Sequence, residues 1–331
     1  MMNEYNILIL CIGRRVELVQ RFRNAAQRLN LKSTIVGGDS SELAPALYFT
    51  DKMVKFPPIE DPRYIDSIID VCNRENIALI IPTIDTDLPV LAENKENIES
   101  KTHAKVMISE KSVIEICRDK ALTQKYFEEH GLKMAKMYCD EEIKQTNRSD
   151  IPFPLFAKPR TGSCSINTMR IDTYEELVAY KTLVSDAIIS DFSDGEEFTV
   201  DTFLDFQSNV ITIVPRLRIA ARGGEIMKAK IVKDREIIKD IKRLLTKLKF
   251  IGHVTIQLIR TRNGIEYFEI NPRYGGGAPM GIDCGADSCE NLFRLLMGEK
   301  LEYNENYRDN IYFIRFDNSI CLNENMELIE W

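Results

Sequence analysis

Apolar and polar positions follow one rhythm in the first third of this chain and another in the rest. The first third swings between short apolar runs and helical spacing. Asn6 to Cys11 is a short apolar run, and from Arg15 to Leu29 the apolar residues Val16, Leu18, Val19, Phe22, Ala26 and Leu29 recur with helical spacing. Ser33 to Val36 predicts the next strand, closed by Gly37-Gly38-Asp39, and Met53 to Phe56 a third. Asp61-Pro62 is a helix start signal. Ala78 to Ile81 predicts a buried strand closed by Pro82, Asp85 to Glu93 a helix, and Ala104 to Ile108 another strand. Such βα alternation implies a parallel sheet with helices on both faces.

Beyond it, Ser112 to Arg118 and Asp119 to His130 predict helices, the second ending at Gly131, a good C-cap. Asp140 to Asp150 is polar and reads as surface. Strand Leu155 to Lys158, a glycine/serine loop from Thr161 to Ser165, strand Ile166 to Ile171 and helix Asp172 to Leu183 follow. Ala187 to Asp191 and Glu197 to Leu204 are strands on either side of a turn at Gly195. Antiparallel strands continue at Val210 to Arg218 and Ile226 to Ile231, then a helix from Asp234 to Leu248. Gly252 to Arg260 and Ile265 to Asn271 form a hairpin about Asn263-Gly264.

Composition narrows the function classes. A length of 331 residues suits two or three packed units, and 44% hydrophobic with 29% charged residues describes an ordinary soluble protein. A net charge of −7 and a pI near 5.3 argue against a general nucleic-acid binder, while leaving room for a local basic pocket. The run Ile7 to Ile12 is too short for a signal peptide, and no stretch is long enough to span a bilayer. The expected location is the cytoplasm. Eight cysteines without a CxxC fit reduced thiols. With only three scattered histidines, any metal must be held by oxygen ligands.

The densest chemistry lies in Tyr267-Phe268-Glu269-Ile270-Asn271-Pro272-Arg273-Tyr274-Gly275-Gly276-Gly277. Strand alternation puts Glu269 and Asn271 on one face, where a carboxylate and an amide oxygen suit Mg²⁺. Arg273 can meet a phosphate, and the glycines let backbone N–H groups approach an anion. A strand end with a surface ion pair and a flexible loop is the plain alternative. Gln257 lies across the hairpin and fits either a metal or a cross-strand hydrogen bond. Lys158 opens the Gly/Ser loop, a phosphate-binding layout or a structural turn. Near Glu197 the strand breaks and restarts, which offers backbone groups to an adenine edge and a carboxylate to a ribose; acidic turns are also common. The first βα turn lacks G-x-G-x-x-G, so a nicotinamide dehydrogenase fits poorly, and Arg14 and Arg15 read as solvated rather than anion-capping.

The order of these pieces resembles the ATP-grasp superfamily, in particular a single synthetase unit of the carbamoyl-phosphate synthase large-chain type. The likeness runs to about Gly298. It implies an α/β fold, α+β in its second half. A Rossmann-like lead domain spans 1–111, an ATP-grasp domain of two α+β subdomains 112–300, and a C-terminal extension 301–331. A small lid-like subdomain falls at about 119–187. The resemblance implies ATP and Mg²⁺ as cofactors, with Mn²⁺ accepted. By that likeness Lys120 and Lys158 contact ATP phosphates, and the loop Gly162, Ser163, Cys164, Ser165 closes over them. Backbone at Asp191 and Ser193 binds adenine, and Glu197 the ribose. Gln257, Glu269 and Asn271 ligate the metal, and Arg273 is the catalytic residue that holds the transferring phosphate. Departures are Ser190-Asp191 where Glu or Gln often stands, and Ser163-Cys164-Ser165 where more glycine is usual.

The activity so implied is a carboxylate–amine ligase working through an acyl phosphate and releasing ADP and phosphate. The partners would be small carboxylate and amine substrates, not nucleic acid or membrane; a homodimer or a partner chain fits equally. A carbamoyl-phosphate-synthase-like subunit needing a partner chain and a non-catalytic nucleotide sensor are the alternatives. Arg216, Arg218 and Arg222 are candidates for substrate carboxylates, against plain solvated strand arginines. Asp85 and Asp87 are candidates for the amine, although helix capping explains Asp85 equally well.

Overall fold

The computed structural model describes residues 4–162 and 166–329; the loop residues Ser163, Cys164 and Ser165 lie outside them. The first sheet is parallel. It contains β1 (Asn6–Leu10), β2 (Ile35–Asp39), β3 (Lys52–Lys55), β4 (Ile77–Pro82) and β5 (Lys105–Val106), in the order β3-β2-β1-β4-β5. Helices α1 (Val16–Arg28), α2 (Tyr64–Arg74) and α3 (Leu88–Lys101) connect them. Alternation along β1 sends Ile7 and Ile9 toward Phe22 of α1, and Leu8 and Leu10 toward α2 and α3. Both faces are covered, so β1 reads as a continuous apolar run rather than an alternating one.

Helices α4 (Lys111–Arg118) and α5 (Lys120–Glu129) lead to a small antiparallel sheet. Its strands are β6 (Met137–Tyr138), β7 (Leu155–Pro159), β8 (Met169–Ile171) and β9 (Ala187–Asp191), ordered β6-β9-β7-β8, with helices α6 (Asp140–Gln145) and α7 (Tyr174–Leu183). The larger antiparallel sheet holds β10 (Gly195–Leu204), β11 (Val210–Arg222), β12 (Glu225–Ile231), β13 (Gly252–Thr261), β14 (Gly264–Asn271) and β15 (Tyr312–Ile314). Its order is β14-β13-β10-β11-β12-β15. One face carries Phe198, Val200, Ile213, Val254, Ile256 and Leu258, packed against α8 (Arg235–Leu245). Period-2 alternation turns the polar residues of the same strands to the other face.

Two helices follow the hairpin: α9 (Ala278–Asp283) and α10 (Ser288–Leu296). They were not legible in the periodicity. They pack on α1, where Phe22 meets Tyr274 and Phe293 edge-on at 5.9 and 6.1 Å, and Arg21 pairs with Asp283 at 2.6 Å. The glycine run therefore enters a helix rather than a free loop.

Other differences from the sequence reading have local causes. The strand expected to stop at Val36 runs on to Asp39, because Gly37 and Gly38 serve packing. A Cβ on Gly38 would meet the Phe56 ring at 2.4 Å. The helix expected from Asp85 starts at Leu88, because Asp85 is drawn into an ion pair. Within the polar stretch 140–150, α6 forms on an acidic first turn with Ile143 buried beneath it.

Gly195, expected as a turn, begins β10 opposite Thr261. A Cβ there would sit 2.1 Å from the Arg260 carbonyl oxygen, and main chain cannot swing aside as a side chain can. Gly195→Ala should cost about 1–3 kcal/mol of stability as the hairpin edge is forced apart. A urea midpoint equal to wild type would contradict the close approach.

Candidate functional site

A cavity of about 850 Å³ opens between the small sheet and the polar face of the larger one, toward the upper end of the range usual for ligand sites, about 300–1,000 Å³. Its floor is built by the alternation that buries the other face. Thr199 comes from β10, Thr255 and Gln257 from β13, and Glu269 and Asn271 from β14. Gln257 stands directly across from Glu269, and Thr255 across from Asn271. The pairing slips by one residue here, so that Phe268 has no partner on β13. This bulge keeps Tyr267 and Ile270 in the core while Glu269 and Asn271 face the cavity.

The bulge also frees the Phe268 carbonyl. It accepts a hydrogen bond from Lys158 Nζ at 3.4 Å, so the small sheet reaches the larger one through this lysine. Lys120, at the start of α5, donates to the Gly162 carbonyl at 3.0 Å. The N-cap Asp119 accepts from Ala121 and Leu122 main chain and is gripped by Arg160, at 2.7 Å. Burial, helped by the neighbouring charge of Lys120 and opposed by Glu269, pulls Lys158 down to about 8. Burial likewise lowers Lys120, again opposed by Glu269. Two lysines held in low dielectric beside one carboxylate would bind a polyanion well.

The donor set on the floor suits a hard divalent cation. Glu269 supplies a carboxylate, and Asn271 and Gln257 supply amide oxygens. Among the described residues, none of these side chains has a hydrogen bond or ion pair within the protein, so all are available to a ligand. No cluster of three His, Cys, Asp or Glu able to hold a metal exists among the described residues, which leaves this mixed oxygen set as the candidate.

At the far end, β9 gives way to β10. The Asp191 N–H is engaged by the Lys136 carbonyl at 2.9 Å, so that group is taken; its side chain accepts from Tyr138. Ser190 Oγ reaches the Asp191 carbonyl at 3.2 Å. Among the described residues the Ser193 N–H has no acceptor, and the Ser193 hydroxyl donates to Glu266 at 2.6 Å. Glu197 lines the cavity with its carboxylate 2.8 Å from Arg218. Gly162 also lines it.

The arginines depart most from expectation. Arg216 is buried and pairs with Asp201 at 3.1 Å, its guanidinium directly beneath Gly277, where a Cβ would meet it at 2.6 Å. Arg218 is held by Glu197, and Arg222 lies outside the cavity, paired with Asp317 at 2.7 Å. Arg273 pairs with Asp85 at 2.6 Å, so Asp85 neither caps α3 nor stands free for an amine. Asp87 is fully buried beneath Tyr64, which donates to it at 2.7 Å, and burial pushes its carboxyl up to about 6. Arg14 is solvated as expected, but Arg15 turns into the cavity. A signal for that was present: Arg15 leads the helix face that carries Leu18, Val19 and Phe22.

Residues 7–107 match the family model described as PylC-like, N-terminal domain, and residues 184–315 match ATP-grasp in the biosynthetic pathway with Ter operon. Carbamoyl-phosphate synthase of Methanobrevibacter smithii is 20% identical over 156 residues, 46% of this chain and 42% of that protein. D-alanine–D-alanine ligase B of Clostridium perfringens is 23% identical over 175 residues, 47% of this chain and 57% of that protein. The chain thus spans about half the length of these two relatives. The structure of N5-carboxyaminoimidazole synthetase from Staphylococcus aureus complexed with ADP superposes with a TM-score of 0.72 at 14% identity, covering 91% of this chain and 80% of that one. No helix among the described residues is long and apolar enough to cross a membrane. With a parallel lead sheet, two antiparallel sheets around a polar cavity, and both segments matched in order, the chain carries an ATP-grasp segment behind a PylC-like lead domain and resembles a single synthetase unit of the carbamoyl-phosphate synthase type.

Proposed function

We propose that this protein is an ATP- and Mg²⁺-dependent ligase that joins a carboxylate to an amine through an acyl phosphate, releasing ADP and phosphate. The observation that carries the reading is the convergence of Lys120, Lys158, Gln257, Glu269, Asn271 and Arg273 on one cavity. Adenine binding alone would need none of these six, which disfavours a nucleotide sensor. In this reading the lead, grasp and C-terminal units fall at 1–111, 112–300 and 301–331, and the protein works in the cytoplasm.

The adenine edge would lie against the Asp191 carbonyl and the Ser193 N–H, with Glu197 turned to the ribose. Lys120 and Lys158 would hold the phosphates, under the Gly162 loop with Ser163 and Ser165. Glu269, Asn271 and Gln257 would hold the metal, which supplies charge neutralisation at the transferring phosphoryl group and accepts Mn²⁺ as well. Arg273, already oriented by Asp85, would stabilise the same developing charge. Alignment and charge do most of the work in such transfers. The carbamoyl-phosphate synthase relative supports a second reading, a subunit that forms carboxyphosphate with a partner chain.

The decisive experiment crosses carboxylates with amines and measures ADP release, using carboxylate labelled with heavy oxygen. Label in inorganic phosphate is expected. AMP and pyrophosphate, or nucleotide binding with no substrate-dependent turnover, would overturn the ligase reading.

Lys158 offers a check by pH. Its ammonium is the form that attracts phosphate, and near pH 8 half of it is lost in the free protein. ATP affinity should therefore fall as pH rises from about 7 to 9. Lys158→Gln should weaken binding roughly tenfold to a hundredfold and abolish that pH dependence. Equal affinity in wild type and variant at pH 7 would return the residue to a structural role.

A further inference from the structure

The arginines that line the cavity are not equivalent. They are Arg15, Arg216, Arg218 and Arg273. Three are neutralised at close range, by Asp201, Glu197 and Asp85 in turn. Among the described residues, Arg15 has no side-chain hydrogen bond and no ion pair within 4 Å. Its neighbours are engaged elsewhere: Glu225 with Arg14 and Arg315, and Asp85 with Arg273. The Arg15 guanidinium lies against Gly276, where a Cβ would meet Nη1 at 2.9 Å. A half-buried, unpartnered guanidinium in a cavity is costly unless something completes it.

We propose that Arg15 binds a second, non-reacting carboxylate, so that one of the two co-substrates carries a carboxylate that is not joined in the reaction. This rests on the ligase reading and names its substrate class. Arg15 lies against Gly276, whereas Lys158 reaches the Phe268 carbonyl and Lys120 the Gly162 carbonyl, so the three cations address different parts of the cavity. The charge balance selects the ligand. One guanidinium is left unmatched, which suits one carboxylate rather than a doubly charged phosphate. Its planar fork matches the two carboxylate oxygens. Two sources share that chemistry: an amino acid that reacts through its amine, and a dicarboxylate that reacts through one end.

The test uses the full-length protein saturated with a non-hydrolysable ATP analogue and Mg²⁺. Arginines are labelled with phenylglyoxal and located by peptide mass spectrometry. The additives are the common amino acids and short dicarboxylates, each run against its carboxamide. At least one carboxylate should slow Arg15 labelling about tenfold, and its carboxamide should not. Protection by an amino acid or by a dicarboxylate identifies the source. With that compound in the ADP-release assay, Arg15→Gln should raise KM about tenfold, leave kcat within a few-fold, and erase the preference for acid over amide. Protection by the ATP analogue alone, protection only by phosphate monoesters, or no protection by any carboxylate would overturn the proposal. Failure of the ligase reading would show separately, as an ATP analogue that binds by calorimetry with no ADP release from ATP that depends on an added carboxylate and amine.

Discussion

Glu269→Ala should leave a folded protein that turns over ATP roughly a hundred to a thousand times more slowly than wild type. Glu269 is the only carboxylate in the proposed metal set, and within that set only it carries a full negative charge. Its charge also favours the ammonium forms of Lys120 and Lys158. Removing it takes away a metal ligand and pushes both lysines further toward the neutral state. Folding should survive, because Glu269 sits on the cavity side of the bulge while Tyr267 and Ile270 hold β14 in the core. Circular dichroism and a thermal midpoint near wild type would show that the loss is local. Mn²⁺ should replace Mg²⁺ in the wild-type enzyme, since both accept oxygen ligands. Wild-type turnover by the variant, or full activity in excess EDTA, would sink the metal assignment.

The largest effect on stability is expected at Asp201. Asp201 and Arg216 are 3% and 1% exposed, so neither can turn to water when its partner is lost. Burial pushes the Asp201 carboxyl up, but Arg216 and His253 outweigh it and hold the group below the usual carboxylate range. Asp201→Ala should cost about 3–5 kcal/mol, because it strands a guanidinium in the core. The double variant Asp201→Leu/Arg216→Met removes both charges and should be less damaging than the single one. Gly277 rests on this guanidinium, so the glycine turn beside the site should loosen in the single variant. Urea unfolding of both variants decides it. A single-variant loss below about 1 kcal/mol, typical of an exposed pair, would contradict the buried-pair account.

The parallel lead sheet, the antiparallel half and the hairpin that carries Glu269 and Asn271 were legible because each rests on local rules. Apolar periodicity, glycine turns and strand alternation act over a few residues, and the folded chain keeps them. The same rules put Lys158 at a strand end and Gln257 across from Glu269. Charge pairing between distant elements obeys no such rule. Asp85 and Arg273 are 188 positions apart and meet only because α9 and α10 dock the glycine turn onto the lead sheet. The strand arginines looked alike in sequence, yet Arg216 lies in the core, Arg218 on the cavity wall and Arg222 in solvent. The same holds for Arg14 and Arg15, where the facing of one helix turn sends one to water and the other to the cavity. The amino-acid sequence by itself determined which elements form and which groups are available for chemistry. Only the tertiary structure decided which charges neutralise one another and which one is left for a ligand, because Coulomb energies depend on distances that span the whole chain.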